Sequence, residues 1–308
     1  MSERRHRQPL PLGGEDGLPF SKGLLARALI ATGVPSERAY ELALTAEADL
    51  AAAGGRASSL ERLHELAIGM WGEDEGAQVI RRLRLFNRLD DLDLPIVLLI
   101  GGATGTGKST VATEIAYRLG ITRVTSTDFV RQTMRAFFSQ DFMPAIHYSS
   151  FEAGASQDED DEDRVLHGFV AQTRNVLVGV RAAIERVMQE GWSMVLEGVH
   201  LVPGMVSAEI EGALVVQFVL AIEDVEAHAS HFWLRDSISG SARPFERYLD
   251  ALGDIRELQD YIVGRAEKAG VPVIENSNIE LAIAQAMELV LETISANPQV
   301  ADAVRRVG

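Results

Sequence analysis

Nine consecutive residues, Gly102, Ala103, Thr104, Gly105, Thr106, Gly107, Lys108, Ser109 and Thr110, have the types and spacing that hold a nucleoside triphosphate. Gly102-x-x-x-x-Gly107-Lys108-Ser109 fills every position of the P-loop pattern. Glycines let the backbone curl around phosphates with several N–H groups pointing inward, where side chains would intrude. A helix opening near Lys108 adds the positive end of its dipole to that nest. Lys108 supplies a mobile point charge for the β- and γ-phosphates. Ser109 offers a hydroxyl to Mg²⁺, a cation that keeps most of its waters and takes few protein groups. The alternative is a glycine-rich turn with a chance lysine. The complete match, between an apolar strand and an amphipathic helix, argues against it.

Other candidates follow predicted strands, and ligands of open α/β sheets bind beyond the carboxyl ends of strands. Thr127-Asp128 follows the second strand, with Arg131 and Arg135 spaced to share one helical face with Asp128. That pattern suits a carboxylate that orients or deprotonates a hydroxyl, flanked by a guanidinium clamp for the acceptor's anionic groups. A surface salt bridge is the alternative. Glu197 closes the third strand, where a carboxylate holds the water shell of Mg²⁺ or serves as base. Gly198 lets a neighbour approach the backbone closely. His200 either faces the substrate or hydrogen-bonds a loop. Further on lie His228, His231, Arg235, Arg243, Arg247 and Arg256. A mobile arginine neutralises charge on a phosphoryl group in transfer, and Arg235 leads this set. Gly240 and the serines of 237–241 suit a lid hinge, while other arginines would pair with Asp236, Glu246 or Asp250. His228 and His231 lack a third ligand in register for a metal.

Positioning these groups requires strands alternating with helices. After the apolar run that opens at Ile96, strands are expected over 121–126, 192–196, 213–222 and 271–275. Helices are expected over 109–119, 165–190, parts of 224–269, and 278–296. That alternation predicts an α/β fold with a doubly wound, mostly parallel five-stranded sheet. A small all-helical domain precedes it, with domains over 1–92 and 93–308. Residues 1–19 read as a loose arm rich in proline and glycine. Four helices follow: one over Leu24–Leu29, one capped by Ser36 and ended by Gly54-Gly55, one capped by Ser58 or Ser59, and one over 75–89. Residues 90–95 form an acidic linker. The acidic run 158–163 reads as a solvated, mobile loop rather than a metal site.

The 308 residues suffice for two domains, and 46% hydrophobic with 24% charged content is ordinary for a globular protein. No apolar run approaches the roughly 20 residues of a membrane span, and no apolar signal-peptide core follows the basic start. The absence of cysteine fits a cytoplasmic protein. A net charge of −16 argues against nucleic acid as a partner, while leaving room for a small anionic metabolite met by local arginines.

The chain resembles the 2-phosphoglycerate kinase family of P-loop small-molecule kinases. The likeness rests on the P-loop, on Ser126-Thr-Asp-Phe-Val-Arg131-x-x-Met-Arg135, on Glu197-Gly-Val-His-Leu-Val-Pro-Gly204 and on His231-Phe-x-x-Arg235. It continues through Ile255-Arg-x-x-Gln-Asp-Tyr-Ile262 and Val271-Pro-Val-Ile-Glu-Asn276. The resemblance implies ATP and Mg²⁺ as cofactors and 2-phosphoglycerate as acceptor, phosphorylated on its 3-hydroxyl. Lys108, Asp128, Glu197 and Arg235 would then be catalytic, Ser109 and Glu197 metal-holding, and Asp128, Arg131, Arg135 and His200 acceptor-binding. Residues from Pro19 to Leu89 resemble the ATP-cone regulatory module. A packing or homo-oligomerisation module is the other reading of that region. The kinase core leaves other acceptors open, such as an inositol, a sugar acid or a nucleotide sugar. From a different class, the alternative is a nucleotide-dependent ATPase acting as a binding switch.

Overall fold

The structure, a computed structural model, describes residues 12, 20–55, 57–87, 94–239 and 245–297, and of 87 and 234–239 the backbone alone. The expected arm, apart from Leu12, and the linker over 90–93 lie outside the described residues, as do Gly240 and Arg243. The described chain groups into two compact units. One comprises the residues up to Asp93, Arg118–Gly120 and those from Ala284 onward; the other comprises Leu94–Tyr117 and Ile121–Ile283.

The first unit holds α1 (Lys22–Ala31), α2 (Ser36–Ala52), α3 (Leu60–Trp71) and α4 (Glu73–Asn87). Leu25, Leu29, Leu42, Leu63, Ile80 and Leu83 make its core, each wholly buried or nearly so. Ser21 and Ser59 cap α1 and α3, accepting from the N–H groups of Leu24 and Arg62. Ser36 does not cap α2. The Pro35 carbonyl already accepts from the Ala39 N–H at 2.9 Å, so the helix starts one residue earlier and Ser36 is its first member. Glu73, Asp74 and Glu75 all fall in the first turn of α4, where negative charge suits the helix dipole.

The second unit is an all-parallel five-stranded sheet, in the order β2 (Val124–Ser126), β3 (Met194–Glu197), β1 (Ile96–Gly101), β4 (Leu214–Ala221), β5 (Val273–Glu275). Intervening helices include α5 (Lys108–Arg118), α6 (Thr127–Phe137) and α7 (Arg164–Glu190). They also include α8 (Val225–Ser239), α9 (Phe245–Asp250) and α10 (Leu252–Ala269); α11 (Ile279–Ala296) follows β5, and from Ala284 on it belongs to the first unit. One core joins β1 and β3 to α7 through Val97, Leu99, Leu196, Val176 and Val180. A second joins Ala103 and Val219 to Phe169, Phe232 and the α10 residues Ile255, Leu258 and Ile262.

β2, β3 and β5 begin two or three residues later than expected, for one shared reason. Each preceding helix ends at a glycine of positive φ: Gly120, Gly191 and Gly270. The apolar residue after it turns its N–H back to the helix, Ile121 to the Ala116 carbonyl, Trp192 to Val187 and Val271 to Ala266. Ile121, Trp192 and Val271 are therefore helix caps with a hydrophobic contact, not first strand residues. The acidic run at 158–163 forms turns before α7. There the Asp161 carboxylate accepts from the Asp163 N–H at 3.0 Å and bonds the His167 imidazole at 2.7 Å.

Candidate active site

Strand register brings the chemistry together. Ile100 of β1 is level with Glu197 of β3, and Glu197 is level with Ser126 of β2. The phosphate-binding loop after β1, Glu197 itself and the first turn of α6 therefore stand side by side at the carboxyl ends of three adjacent strands. Ser126 caps α6, its hydroxyl accepting from the Phe129 N–H at 3.0 Å, and so fixes Asp128 in the first turn.

In the loop, Lys108 is 8% exposed and its Nζ donates to the Ala103 carbonyl at 2.5 Å. Burial pulls the ammonium below the ordinary lysine value, and Glu197 and Asp128 pull it part of the way back. Both carboxylates act on the lysine from the same side of β1, Glu197 at the end of β3 and Asp128 in the first turn of α6 beyond β2. Ser109 Oγ donates to Glu197 Oε1 at 2.9 Å, and Glu197 is itself buried. A hydroxyl beside a carboxylate is an all-oxygen donor pair that suits Mg²⁺ and leaves most of its coordination to water and phosphate. Among the described residues there is no cluster of three or more His, Cys, Asp or Glu able to cage a metal.

Asp128 opens 62% of its side chain to solvent. Desolvation pushes its carboxyl up, but His200, Arg131 and Lys108 outweigh that and leave it below the ordinary aspartate value. Arg131 sits differently from the free clamp expected of it. Its guanidinium is buried, with Nε donating to Asp128 Oδ1 at 3.2 Å and Nη1 to the carbonyls of Ile146 and Tyr148 at 3.0 and 2.7 Å. In this arrangement Arg131 holds Asp128 and the short 3-10 turn Pro144–His147. Arg135 is exposed, bonded to Gln132 Oε1 at 3.0 Å.

His200 is not open to a substrate. It is wholly buried, with Nδ1 2.8 Å from Thr127 Oγ1 and Nε2 2.8 Å from Gln172 Oε1. Gln172 Nε2 donates to the carbonyls of Ala145 and Tyr148, so its Oε1 faces His200 as an acceptor. The partners fix the tautomer: Nε2 carries the proton and Nδ1 accepts from the Thr127 hydroxyl. Gly198, at φ 149°, is what lets this happen, because a Cβ there would lie 1.9 Å from Thr127 Oγ1. Gln172 went unnoticed in the sequence. The signal was present: a glutamine one turn after Phe169 and before Val176, inside the apolar stripe of α7.

Burial takes the His200 pKa down to about 4, so the imidazole is neutral near pH 7. In the unfolded chain it titrates near the ordinary value of about 6.5. The unfolded state therefore binds more protons between these values, and stability rises with pH in that window. We expect stability to be complete above about pH 6.5 and to fall towards pH 4, by up to about 3 kcal/mol from this group. Urea unfolding across that range should give a flatter profile for His200→Gln, which keeps a donor and an acceptor without titrating. Parallel profiles for the two proteins would rule out this role.

The arginine-rich segment disperses. Arg247 makes a two-pronged pair with Glu152, at 2.9 and 2.5 Å, rather than with Glu246 or Asp250. Arg256 donates to the carbonyls of Ile222 and Glu223. The side chain of Arg235 lies outside the described residues. His228 and His231 turn towards the phosphate-binding loop, Nε2 of the first 2.8 Å from the Thr104 carbonyl and Nδ1 of the second 3.0 Å from that of Gly105.

No family model matches the chain. Among known proteins it is similar to the 2-phosphoglycerate kinase of Methanopyrus kandleri, 38% identical over 270 residues covering 87% of this chain and 82% of that one. The 2-phosphoglycerate kinase of Pyrococcus horikoshii is 34% identical over 281 residues, 91% of this chain and 92% of that one. That of Methanothermobacter thermautotrophicus is 37% identical over 269 residues, 86% and 88% of the two chains. Among solved structures, shikimate kinase of Bacteroides thetaiotaomicron has 15% sequence identity and a TM-score of 0.31, covering 66% of this chain and 99% of that one.

Proposed function

The chain belongs to the 2-phosphoglycerate kinase family, and from that premise we propose that it transfers the γ-phosphoryl group of ATP to 2-phosphoglycerate, giving 2,3-bisphosphoglycerate and ADP. The observation that carries the reading is the meeting of Lys108, Ser109, Glu197 and Asp128 at the ends of β1, β3 and β2. In this reading, residues 102–110 hold the triphosphate, with Lys108 on its β- and γ-phosphates. Ser109 and Glu197 would hold Mg²⁺, directly or through water; when bound, that ion neutralises phosphate charge. The acceptor offers one free hydroxyl, on C3, beside a carboxylate and a phosphate. Its oxygen bonds to the γ-phosphorus as the bond to the β–γ bridging oxygen breaks, and its proton passes to Asp128 or to solvent.

A carboxylate below the ordinary aspartate value is a weak base, so Asp128 acts chiefly by accepting the hydroxyl's hydrogen bond and aiming its oxygen. That suffices where the transition state is loose and positioning dominates. Arg131 holds Asp128 in place, which leaves the exposed Arg135 to meet the acceptor's anionic groups. Arg235 is assigned the closing contact on the moving phosphoryl group from its position in α8. The sequence supports the division into a helical module over 1–92, similar to an ATP-cone, and a kinase domain over 93–308. A cytoplasmic setting accords with the lack of cysteine, and no described helix is long and apolar enough to cross a membrane.

A coupled assay for ADP over a panel of phosphorylated glycerates, sugar acids and inositols tests the acceptor. We expect 2-phosphoglycerate to stimulate turnover most. Turnover indifferent to every acceptor would favour the nucleotide-dependent switch, and preference for an inositol or sugar acid would replace the acceptor. Arg135→Ala should raise the acceptor KM about tenfold, the loss of roughly one charge-assisted hydrogen bond, with the ATP KM unchanged. An unchanged acceptor KM would remove Arg135 from the site.

A further inference from the structure

We infer that His228, His231 and Asn276 are positioning residues that grip the phosphate-binding loop from outside and keep its peptide N–H groups turned inward. Three successive carbonyls are captured by side-chain donors: Thr104 by His228 Nε2 at 2.8 Å, Gly105 by His231 Nδ1 at 3.0 Å and Thr106 by Asn276 Nδ2 at 2.9 Å. The carbonyls on either side are also bound. Ala103 accepts from Lys108 Nζ and Thr106 Oγ1, and Gly107 accepts from the N–H groups of Thr110 and Val111 in α5. Every carbonyl from 103 to 107 therefore has a donor. A peptide's C=O and N–H point opposite ways, so fixing the carbonyls of Thr104 and Thr106 outward fixes the amides of Gly105 and Gly107 inward. The Thr106 N–H has a long contact to the Ala103 carbonyl at 3.5 Å.

The donors are well placed for this. A carbonyl only accepts, so both histidines must present an N–H to it, which fixes their tautomers. His228 is wholly buried, and its Nδ1 has no partner among the described residues. Its ring stacks on Phe232 at 5.3 Å, and Phe232 stacks on Tyr248 at 5.0 Å, so the imidazole rests on a rigid aromatic layer. Two glycines of the motif answer to these residues. A Cβ on Gly105 would lie 2.5 Å from the Phe232 ring and 3.0 Å from His228 Nε2, and one on Gly107 would lie 2.3 Å from Asn276 Nδ2. The three-residue spacing of the histidines places both on the face of α8 that meets the loop.

This inference rests on the loop being the triphosphate site, and nucleotide binding separates the two. Titration calorimetry of ADP into the full-length protein should show about five- to tenfold weaker binding for each lost donor, in His231→Leu and in Asn276→Asp. The Asn276→Asp change is near-isosteric and sets an acceptor against an acceptor. His231→Gln, which restores an N–H donor, should return to within about twofold of the unsubstituted protein. At saturating ATP the acceptor KM should stay unchanged in each variant, which a general loosening of the fold would not allow. His228→Phe keeps the stack and loses the donor; if it fails to fold, the other two variants decide. Unaltered ADP affinity in His231→Leu and Asn276→Asp overturns the inference and leaves the kinase reading standing. No ADP binding by the unsubstituted protein overturns both.

Discussion

Lys108→Ala should lower kcat/KM by about 10³-fold while the protein stays folded. Among the described residues the lysine is the one ammonium buried where the phosphates would lie, and burial makes each charge interaction stronger than it is in water. Losing one preorganised donor to developing charge costs roughly 10²–10³-fold, and losing a full positive charge belongs at the upper end. The fold should tolerate the change for a specific reason. The Ala103 carbonyl keeps a bond from Thr106 Oγ1 at 3.0 Å, and Glu197 keeps its bond from Ser109, so neither is left unpaired. Removing the lysine also removes the cost of burying it. Circular dichroism and thermal unfolding without nucleotide should match the parent, alongside the kinetic loss. Activity within tenfold of the parent would remove Lys108 from phosphate binding.

Asp128→Asn should reduce kcat by about 10²–10³-fold, the lower part of the range for a positioned acid–base group, since Asp128 acts chiefly by aiming the hydroxyl. Asparagine can still accept from Arg131 Nε, so the first turn of α6 and the 146–148 backbone should hold. What is lost is the negative charge that aims the acceptor hydroxyl. ADP affinity should change little, since Asp128 acts on the loop only through its charge on Lys108. The pH profile gives a second check. The Asp128 carboxyl lies below the ordinary aspartate value, so it remains charged down through pH 5 and should give no acid limb there. An ADP affinity that falls together with kcat would reassign Asp128 to the nucleotide.

What could be read in the sequence was mostly what local pattern determines. The P-loop is contiguous, and its glycines, lysine and serine announce themselves. Glu197 and Asp128 follow from the rule that sites form where parallel strands end, and strand register brings Glu197 level with Ser126, two residues before Asp128. Strand starts were misplaced because an apolar residue after a glycine looks the same whether it begins a strand or caps a helix. Ile121, Trp192 and Val271 were all of the second kind. Roles that depend on partners far along the chain were hidden. Arg131 looked like a free clamp because its partners, the carbonyls of Ile146 and Tyr148, leave no mark on side-chain identity. His200 was ambiguous for want of Gln172, and His228 with His231 suggested a weak metal pair when their acceptors were backbone atoms of the P-loop itself.

The central claim is that the γ-phosphoryl group goes to a hydroxyl and not to water. ³¹P NMR of the protein with ATP, Mg²⁺ and 2-phosphoglycerate reads that directly. The account predicts a new phosphomonoester resonance, that of a phosphate on C3, growing one-for-one with ADP as the γ-resonance declines. ADP formed with inorganic phosphate, at a rate that ignores 2-phosphoglycerate, would contradict it.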